Sequence, residues 1–205
     1  MQYSPFDSIN NGCEKIDGFR EAYMALKPKF DIQQTGIIDF NLEQFEILKH
    51  YLNFDLTGSF VIKHIGCDSY ILIIETQQKN MGKGGIAGLG GYQMFALAYL
   101  KHDFGRVLIR RETLTDKILE LIHPIELDFE EDKPFSDTFY VLVNDHAKAV
   151  AAIDRNFRNA VMDIREDDFV IEIVEHTLII GDKKSISPER AVYLADFVAR
   201  VASIC

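Results

Sequence analysis

Cysteine is scarce in this sequence, and the few cysteines present are placed in a way that excludes the sites they usually build. The chain has three, at Cys13, Cys67 and Cys205. Disulfide frameworks need paired cysteines and cysteine-rich zinc sites need closely spaced ones, and this set provides neither. We therefore expect three free thiols.

A long apolar run is also missing. The N-terminal segment MQYSPFDSINNGCEKID has neither the basic stretch nor the apolar stretch of a secretory signal. No later run approaches the roughly 18 to 20 apolar residues that a membrane-spanning helix needs. We expect a cytoplasmic protein with no membrane span.

Positive charge is in deficit, because 22 lysines and arginines stand against 32 aspartates and glutamates, a formal net charge of -10 at pH 7. Such a charge repels polyphosphate, which argues against nucleic acid and anionic membrane surfaces as partners. A protein or a small-molecule ligand fits the composition better, and a homo-oligomer is left open.

Recognisable catalytic and metal motifs are absent as well. The six histidines are His50, His64, His102, His123, His146 and His176. No two of them have the i, i+4 spacing of a helical zinc pair, and no G-x-S-x-G element is present. Cys67 lies in a turn but lacks a placed histidine to activate it. We expect no catalytic residues, no metal ligands and no bound cofactor.

Two acidic clusters, Glu130–Asp132 and Glu166–Asp168, lie where one predicted element gives way to the next. A calcium loop needs alternating oxygen ligands and a glycine at its turn, and neither cluster has this pattern. We expect both clusters to be solvated loop charge.

The N-terminal quarter has the apolar spacing of two helices. The first is predicted over residues 14–30, where apolar side chains recur every three or four positions. The second is predicted from an Asn41 cap with Gln44 at its third position, and Phe45, Leu48 and Leu52 share its buried face. This pattern divides the chain into a helical appendage, residues 1–53, and a main domain, residues 54–205.

From Gly58 onward the pattern alternates with a period of two, which is typical of strands. Strands are predicted around 60–62, 70–74, 93–100, 106–111, 139–143, 169–174 and 177–180. Helices are predicted from the Thr113 cap to Pro124, from the Asp145 cap through Val161, and from Ser187-Pro188 onward. Short turns between the strands favour an α+β fold with mainly antiparallel sheet, and the recurring element order is compatible with two similar strand-strand-helix halves. A doubly wound α/β fold is the alternative.

Glycine is concentrated in one loop, MGKGGIAGLGGY, which spans Met81–Tyr92. Dense glycine permits the close backbone approach that a phosphate needs, and Lys83, Gly84, Gly85 and Gly88 are the candidate cofactor-binding residues. The spacing matches neither G-x-x-x-x-G-K-[ST] nor G-x-G-x-x-G, and a strand is predicted to follow it. A flexible hairpin connection is the favoured interpretation.

Basic residues gather once, at Lys101, Arg106, Arg110 and Arg111, with His102 among them. They fall on two strands that we expect to pair, with Arg106 and Arg110 on one face and Arg111 on the other. One interpretation is a binding patch for an anion or an acidic partner. The other, which is favoured, is that these charges protect an exposed strand from pairing with other chains.

The stretch from Gly58 to the C-terminus resembles a family of bacterial domains of unknown function. The resemblance rests on the hairpin Gly58–Thr76, the helix start Arg110–Lys117, and the segments IELDFEEDKPFSDTFYVLVND and IEIVEHTLIIGDKKSISPERAVYLADFV. It implies an α+β accessory domain without catalytic residues. Members of that family often follow membrane helices, and this chain departs from them by having amphipathic helices there instead.

These patterns together favour a non-catalytic binding or accessory domain. The alternative is an enzyme that uses a nucleotide or another phosphate ligand held by the glycine-rich loop and Lys83.

Overall fold

A computed structural model describes residues 13–35, 38–63, 67–78, 91–111, 125–182, 184 and 186–204, with side chains from residue 18 onward. Its strands are β1 (Ile32–Gln34), β2 (Tyr51–Ile62), β3 (Ser69–Gln78), β4 (Gly91–Tyr99), β5 (Arg106–Arg111), β6 (Ile125–Glu126), β7 (Phe139–Val143), β8 (Val170–Val174) and β9 (Thr177–Gly181). Its α-helices are α1 (Cys13–Leu26), α2 (Lys133–Ser136), α3 (His146–Ala152), α4 (Arg155–Met162) and α5 (Pro188–Ile204).

The described strands form one nine-stranded sheet in the order β1-β2-β3-β4-β9-β8-β5-β7-β6. Every neighbouring pair in this order is antiparallel. The predicted α+β class is therefore confirmed, and the doubly wound alternative is wrong because no pair among the described strands is parallel. The predicted β2–β3 and β8–β9 hairpins are confirmed too.

The expected pairing of β4 with β5 is wrong, because the β8–β9 hairpin is inserted between them. The segment that joins β4 to β5 instead crosses over the turn of that hairpin. Leu100 N–H donates to the His176 carbonyl and Phe104 N–H to the Glu175 carbonyl, at 2.7 and 3.0 Å. Glu175 N–H then donates to the Gly105 carbonyl at 2.6 Å.

One face of the sheet, here called the helix face, is covered by the helices. Its apolar side chains form the largest core cluster together with buried residues of α1, α3, α4 and α5. The predicted cap at Asp145 is confirmed, since its carboxylate accepts the Lys148 N–H at 3.1 Å. Asp154 caps α4 in the same way, and Ser187 precedes α5 as predicted. The predicted core positions Ala191, Ala195, Val198 and Ala202 are all buried.

The opposite face is covered by residues 38–50, a non-α-helical segment that we call the strap. The helix predicted from Asn41 to Leu52 is wrong: only Leu42–Gln44 form a single 3-10 turn, and Asn41 makes no side-chain cap. Phe45 and Leu48 are buried against Leu72, Ile74, Phe95, Leu97 and Ile179 of the sheet. Leu52, expected on the same face, is 57% exposed because the chain has already entered β2.

The strap changes how the N-terminal quarter relates to the rest of the chain. The boundary predicted after residue 53 falls inside β2, which spans Tyr51–Ile62. Upstream of it, β1 pairs with β2, and Phe19, Ala22 and Leu26 of α1 join the helix-face core. The helix predicted after Thr113 lies outside the described residues.

No helix in the described part of the chain is both long enough and apolar enough to cross a membrane.

Candidate functional site: the charged clusters around the sheet

Residues 81–90 of the glycine-rich loop lie outside the described residues, and so do its candidate ligands Lys83, Gly84, Gly85 and Gly88. The strands that flank it are β3, which ends at Gln78, and β4, which begins at Gly91. The flexible connection and the phosphate cradle therefore both stay predictions.

The basic set on the connection after β4 and on β5 is divided between different surroundings. Lys101 is exposed, whereas Arg106, Arg110 and Arg111 are partly buried. Arg110 stacks over the Tyr140 ring at 4.7 Å, and Arg111 stacks over the Phe139 ring at 5.2 Å. The expected division between the two faces is confirmed: Arg106 and Arg110 lie on the face of the sheet that the strap covers, and Arg111 lies on the helix face. Arg110 and Arg111 therefore contact side chains of this same chain and are only partly accessible to a ligand.

Arg106 and Glu172 clasp the strap to the sheet. Glu172, on the interior strand β8, is fully buried, and its carboxylate accepts hydrogen bonds from Arg106 Nη1 at 2.9 Å and from the Ile47 N–H at 2.9 Å. Arg106 Nη2 donates to the Gln44 carbonyl at 2.9 Å. A buried carboxylate costs desolvation energy unless it is paired and hydrogen-bonded. Here both partners that satisfy it also fix the strap.

Burial raises the pKa of Glu172 above its ordinary value, even though the strap amides and Arg106 oppose the shift. Desolvation therefore disfavours the ionised form of Glu172 in this position. The polar side-chain contacts that Glu172 and Arg106 make are with each other, with Glu46 and with backbone groups of the strap, and we read the pair as a structural one.

A second group of charges lies where β9 ends and α5 begins. Arg190, which is buried, donates from Nη2 to Glu166 at 2.7 Å and pairs through Nε with Asp182 at 3.0 Å. Lys184 pairs with Asp168 at 2.7 Å and with Glu166 at 3.4 Å. Arg111 joins the edge of this group through Asp167 at 3.1 Å. Each acid therefore faces a cation.

The protonation states of this group do not favour acid–base catalysis. Burial is the largest influence on Glu166, but hydrogen bonds and charge from Arg190 and Lys184 outweigh it and lower its pKa. Burial raises the pKa of Asp182 and that of the nearby Tyr193 hydroxyl. A general base needs a pKa near the working pH, and arginine cannot lose its proton there. The arrangement provides ion pairing and fixed charge.

A third group surrounds Arg158, which is buried on α4. Its Nε donates to Asp132 at 2.8 Å, its Nη1 donates to the Ile153 carbonyl at 3.0 Å, and its Nη2 lies 3.3 Å from Glu131. The guanidinium also lies 4.5 Å from the centre of the Phe129 ring. Asp132 and Glu166, from the two predicted acidic clusters, thus neutralise buried arginines. The expectation that these clusters are only solvated loop charge is wrong.

Sequence reasoning missed the arginines that these acids serve. Arg158 and Arg190 stand on amphipathic helices, where long basic side chains are ordinarily exposed. The signal that was available is an arginine at an otherwise apolar helix position, between Phe157 and Ala160 or beside Ala191.

The histidines are dispersed. His64 and His123 lie outside the described residues, His146 is the exposed first residue of α3, and His50 is in the strap. The His176 ring contacts the Leu100 carbonyl through Nδ1 at 3.3 Å. In the part of the chain that the structure describes, no three His, Cys, Asp or Glu side chains converge as a metal site would require.

His102 does line a shallow groove beside α3, with a volume of about 370 Å³. The other lining residues are Asp103, Ala147, Lys148, Ala151 and Ala152. Lys148 Nζ lies 2.6 Å from Asp103 Oδ2, and this hydrogen bond lowers the pKa of Asp103. The groove therefore offers a closed ion pair and small apolar side chains, with a histidine at its margin. Cys67 is distant in sequence and packs partly against the helix-face core.

Comparison with known proteins finds similarity of fold and no matching family. No family model matches this chain, and neither does any curated protein. Among solved structures, the crystal structure of the mycobacterial trehalose monomycolate transport factor A, TtfA, is similar over 91% of this chain and 92% of that one. The TM-score is 0.56 and the sequence identity is 10%, which establishes similarity of fold alone.

Proposed function

We propose that this chain is a non-catalytic accessory domain that acts in the bacterial cytoplasm by binding a protein partner. The observation that carries the proposal is that the buried charged groups are paired within the chain. The buried charges Glu172, Arg158 and Arg190 are satisfied by opposite charges and backbone groups of the same chain. Charges that already have internal partners stabilise a fold and are not free to bind or transform a substrate.

The structural neighbour supports the same class of role. That protein is named as a transport factor, and the similarity covers nearly the whole of both chains. Fold similarity transfers no site residues, so the support extends to the kind of protein and not to a substrate. The bacterial, accessory character implied by the resemblance of residues 58–205 agrees with it.

Cytoplasmic location is supported by composition. A net charge of -10 with only three cysteines is typical of soluble proteins in a reducing compartment. The same charge disfavours nucleic acid as the partner.

The test sets partner binding against ligand chemistry. The full-length chain is expressed in its native host with a cleavable tag, crosslinked in the cell and purified, and its ratio to each co-purifying protein is measured. A stoichiometric partner is expected, and its recovery should be the same for the wild type and for Lys83→Ala.

The contradicting result comes from a thermal-shift panel of ATP, GTP, NAD and an acyl-CoA on the same protein. A ligand at 100 times its Kd should add about 2.7 kcal/mol to stability. A shift of that size that disappears in Lys83→Ala would establish the phosphate-ligand enzyme instead.

A further inference from the structure

The outer edge of β2 is open along most of its length. β1 pairs only with Phe60, Val61 and Ile62, and the Thr35 N–H to Ser59 carbonyl bond at 3.1 Å extends the ladder by one residue. In the described part of the chain, residues 51–58 of β2 have β3 on one side and no strand on the other. An unpaired edge presents backbone donors and acceptors to any extended chain.

Two irregularities define which part of this edge can pair. The register of β2 against β3 shifts between Tyr51 and Asn53 and again between Leu56 and Gly58. Between them, Asn53–Leu56 pair regularly with Ile74–Gln77. Bulges of this kind stop long edge-to-edge association. They leave one short regular stretch.

The orientation of this stretch follows from the bonds on either side. Ser59 accepts from Thr35, and Lys63 donates to the Asp31 carbonyl at 3.2 Å, so these residues point their backbone toward β1. The extra residue at Thr57 shifts the alternation by one. Phe54 and Leu56 therefore direct their N–H and C=O groups outward. Their side chains are partly buried and pack against the apolar cluster between the strap and the sheet.

The opposite surface of the same stretch is acidic. Asp55 stands directly across from Glu75 in the register, and Glu75 in turn faces Tyr92. Like charges in cross-strand register are destabilising. No lysine or arginine among the residues with described side chains forms an ion pair with either carboxylate.

We propose that β2 between Asn53 and Leu56 is the partner-binding edge, and that it takes an extended, cationic segment of another protein as an added antiparallel strand. This assignment rests on the proposed accessory function and gives it a surface. A lysine or arginine of the incoming strand lies beside Asp55 at cross-strand distance and relieves its repulsion with Glu75. Apolar residues at alternate positions contact Phe54 and Leu56.

A second copy of this chain is a poorer occupant for the same reason. Antiparallel pairing of two such edges about their centre sets Asp55 of one copy opposite Asp55 of the other. That contact brings two carboxylates together where one already faces Glu75.

The test uses amide hydrogen exchange on the full-length chain, free and with a short peptide in which lysine and valine alternate. In the free protein the amides of Phe54 and Leu56 should exchange rapidly, and the peptide should slow both. Protection of these amides before any peptide is added would overturn the assignment, because the edge would already be covered by this chain or by a second copy.

Three comparisons separate strand addition from general attraction to an acidic protein. Asp55→Lys should weaken the peptide by about tenfold, and Asp55→Asn by less. The matched control Asp196→Lys changes an exposed acid of α5 by the same charge, and should alter the affinity by less than about twofold. A peptide of the same charge with a central proline should bind at least about tenfold more weakly, since proline cannot donate to the ladder.

The outcomes distinguish this assignment from the function on which it rests. Equal weakening by Asp55→Lys and Asp196→Lys, or equal binding of the proline peptide, would overturn the edge assignment. A native partner that binds the wild type and Asp55→Lys equally would overturn it too and leave the accessory role intact. Nucleotide turnover would overturn the accessory role itself.

Discussion

The two faces of the sheet are covered by different means, and the difference shows how this fold divides its stabilising interactions. On the helix face, α1, α3, α4 and α5 contribute regular amphipathic surfaces to a large apolar core. On the other face, the strap lacks α-helix and combines a smaller apolar cluster with the Glu172–Arg106 clasp. The backbone groups of a helix are mostly satisfied within the helix itself. The strap has no such ladder, and its Ile47 N–H donates instead to the buried Glu172 carboxylate.

This contrast leads to a physical expectation about cooperativity. The helix face contains most of the buried apolar area, so its loss unfolds the whole chain. The strap spans few residues and has a separable set of contacts, so it can open locally at lower free energy. The predictions below test this difference, beginning with the largest effect.

Truncating one fully buried phenylalanine on each face should give unequal losses. Phe157 lies 5.3 Å from Phe104 in the helix-face core, and Phe157→Ala should lower the free energy of unfolding by about 3–5 kcal/mol. Phe45, equally buried in the strap, should cost only about 2 kcal/mol in Phe45→Ala, because the strap detaches before the sheet unfolds. Urea denaturation measures both. Equal losses would mean that the two faces form one cooperative unit.

Removing the acid of the clasp should have the next largest effect. Glu172→Ala removes the carboxylate that accepts from the Ile47 N–H and from Arg106 Nη1, and we expect a loss of about 2–3 kcal/mol. The estimate is below that of a fully buried ion pair because the Arg106 side chain is 26% exposed and partly screened. Chemical denaturation of the variant checks it. A loss below about 0.5 kcal/mol would show that the clasp contributes little.

The clasp also predicts a pH dependence of defined sign. The pKa of Glu172 is raised from its ordinary value of 4.5, so between that value and its folded pKa the folded protein binds a proton that the unfolded chain does not. Stability from this group therefore increases as pH falls through that window. Arg106, Glu46 and the Ile47 N–H are the groups that face it.

The matched control is Glu172→Gln, which removes this titration and keeps the other carboxyls, including Asp182, whose pKa is raised in the same direction. The wild type should gain stability relative to Glu172→Gln as the pH is lowered toward 4.5. A difference that stays constant with pH, or changes in the opposite sense, contradicts the assignment.

The smallest expected effects concern the two cap positions. Asp145 accepts the Lys148 N–H at the start of α3, and Asp145→Ala should cost about 1 kcal/mol. Asn41 begins the 3-10 turn of the strap with φ of 49° and no side-chain cap bond. Asn41→Gly should leave stability unchanged within about 0.5 kcal/mol, because glycine accepts this backbone conformation. Thermal unfolding of both variants compares them, and a larger loss in Asn41→Gly would contradict the description of the strap.

The helix face was largely predictable from sequence, because local patterns there agree with the tertiary structure. The alternation of β5, β7, β8 and β9 gave their positions, and Asp145 and Ser187-Pro188 gave the starts of α3 and α5. Each of these signals acts within a few residues.

The strap was not predictable in the same way. Phe45, Leu48 and Leu52 have helical spacing, but Phe45 and Leu48 are held by contacts with distant strands, and Tyr51 already starts β2. Strand order failed for a similar reason. The turn after β4 resembles a hairpin turn, and only the later β8–β9 hairpin separates β4 from β5. Tertiary contacts decided both cases.

The candidate site was less predictable than the fold. All three charged groups described above join residues from different parts of the chain, as when Glu172 of β8 meets Ile47 of the strap, and sequence spacing contains no sign of such contacts. The acidic clusters were recognised, but their buried partners Arg158 and Arg190 were not.

Native-state hydrogen exchange at the Ile47 amide tests most directly whether Glu172 holds the strap as a separable cover. The amide is compared between the wild type and Glu172→Gln, with amides of α4 as the internal reference. The account predicts that the variant lowers the opening free energy at Ile47 by about 1–2 kcal/mol and changes α4 by clearly less. An equal fall at Ile47 and in α4, or no fall at Ile47, would contradict it.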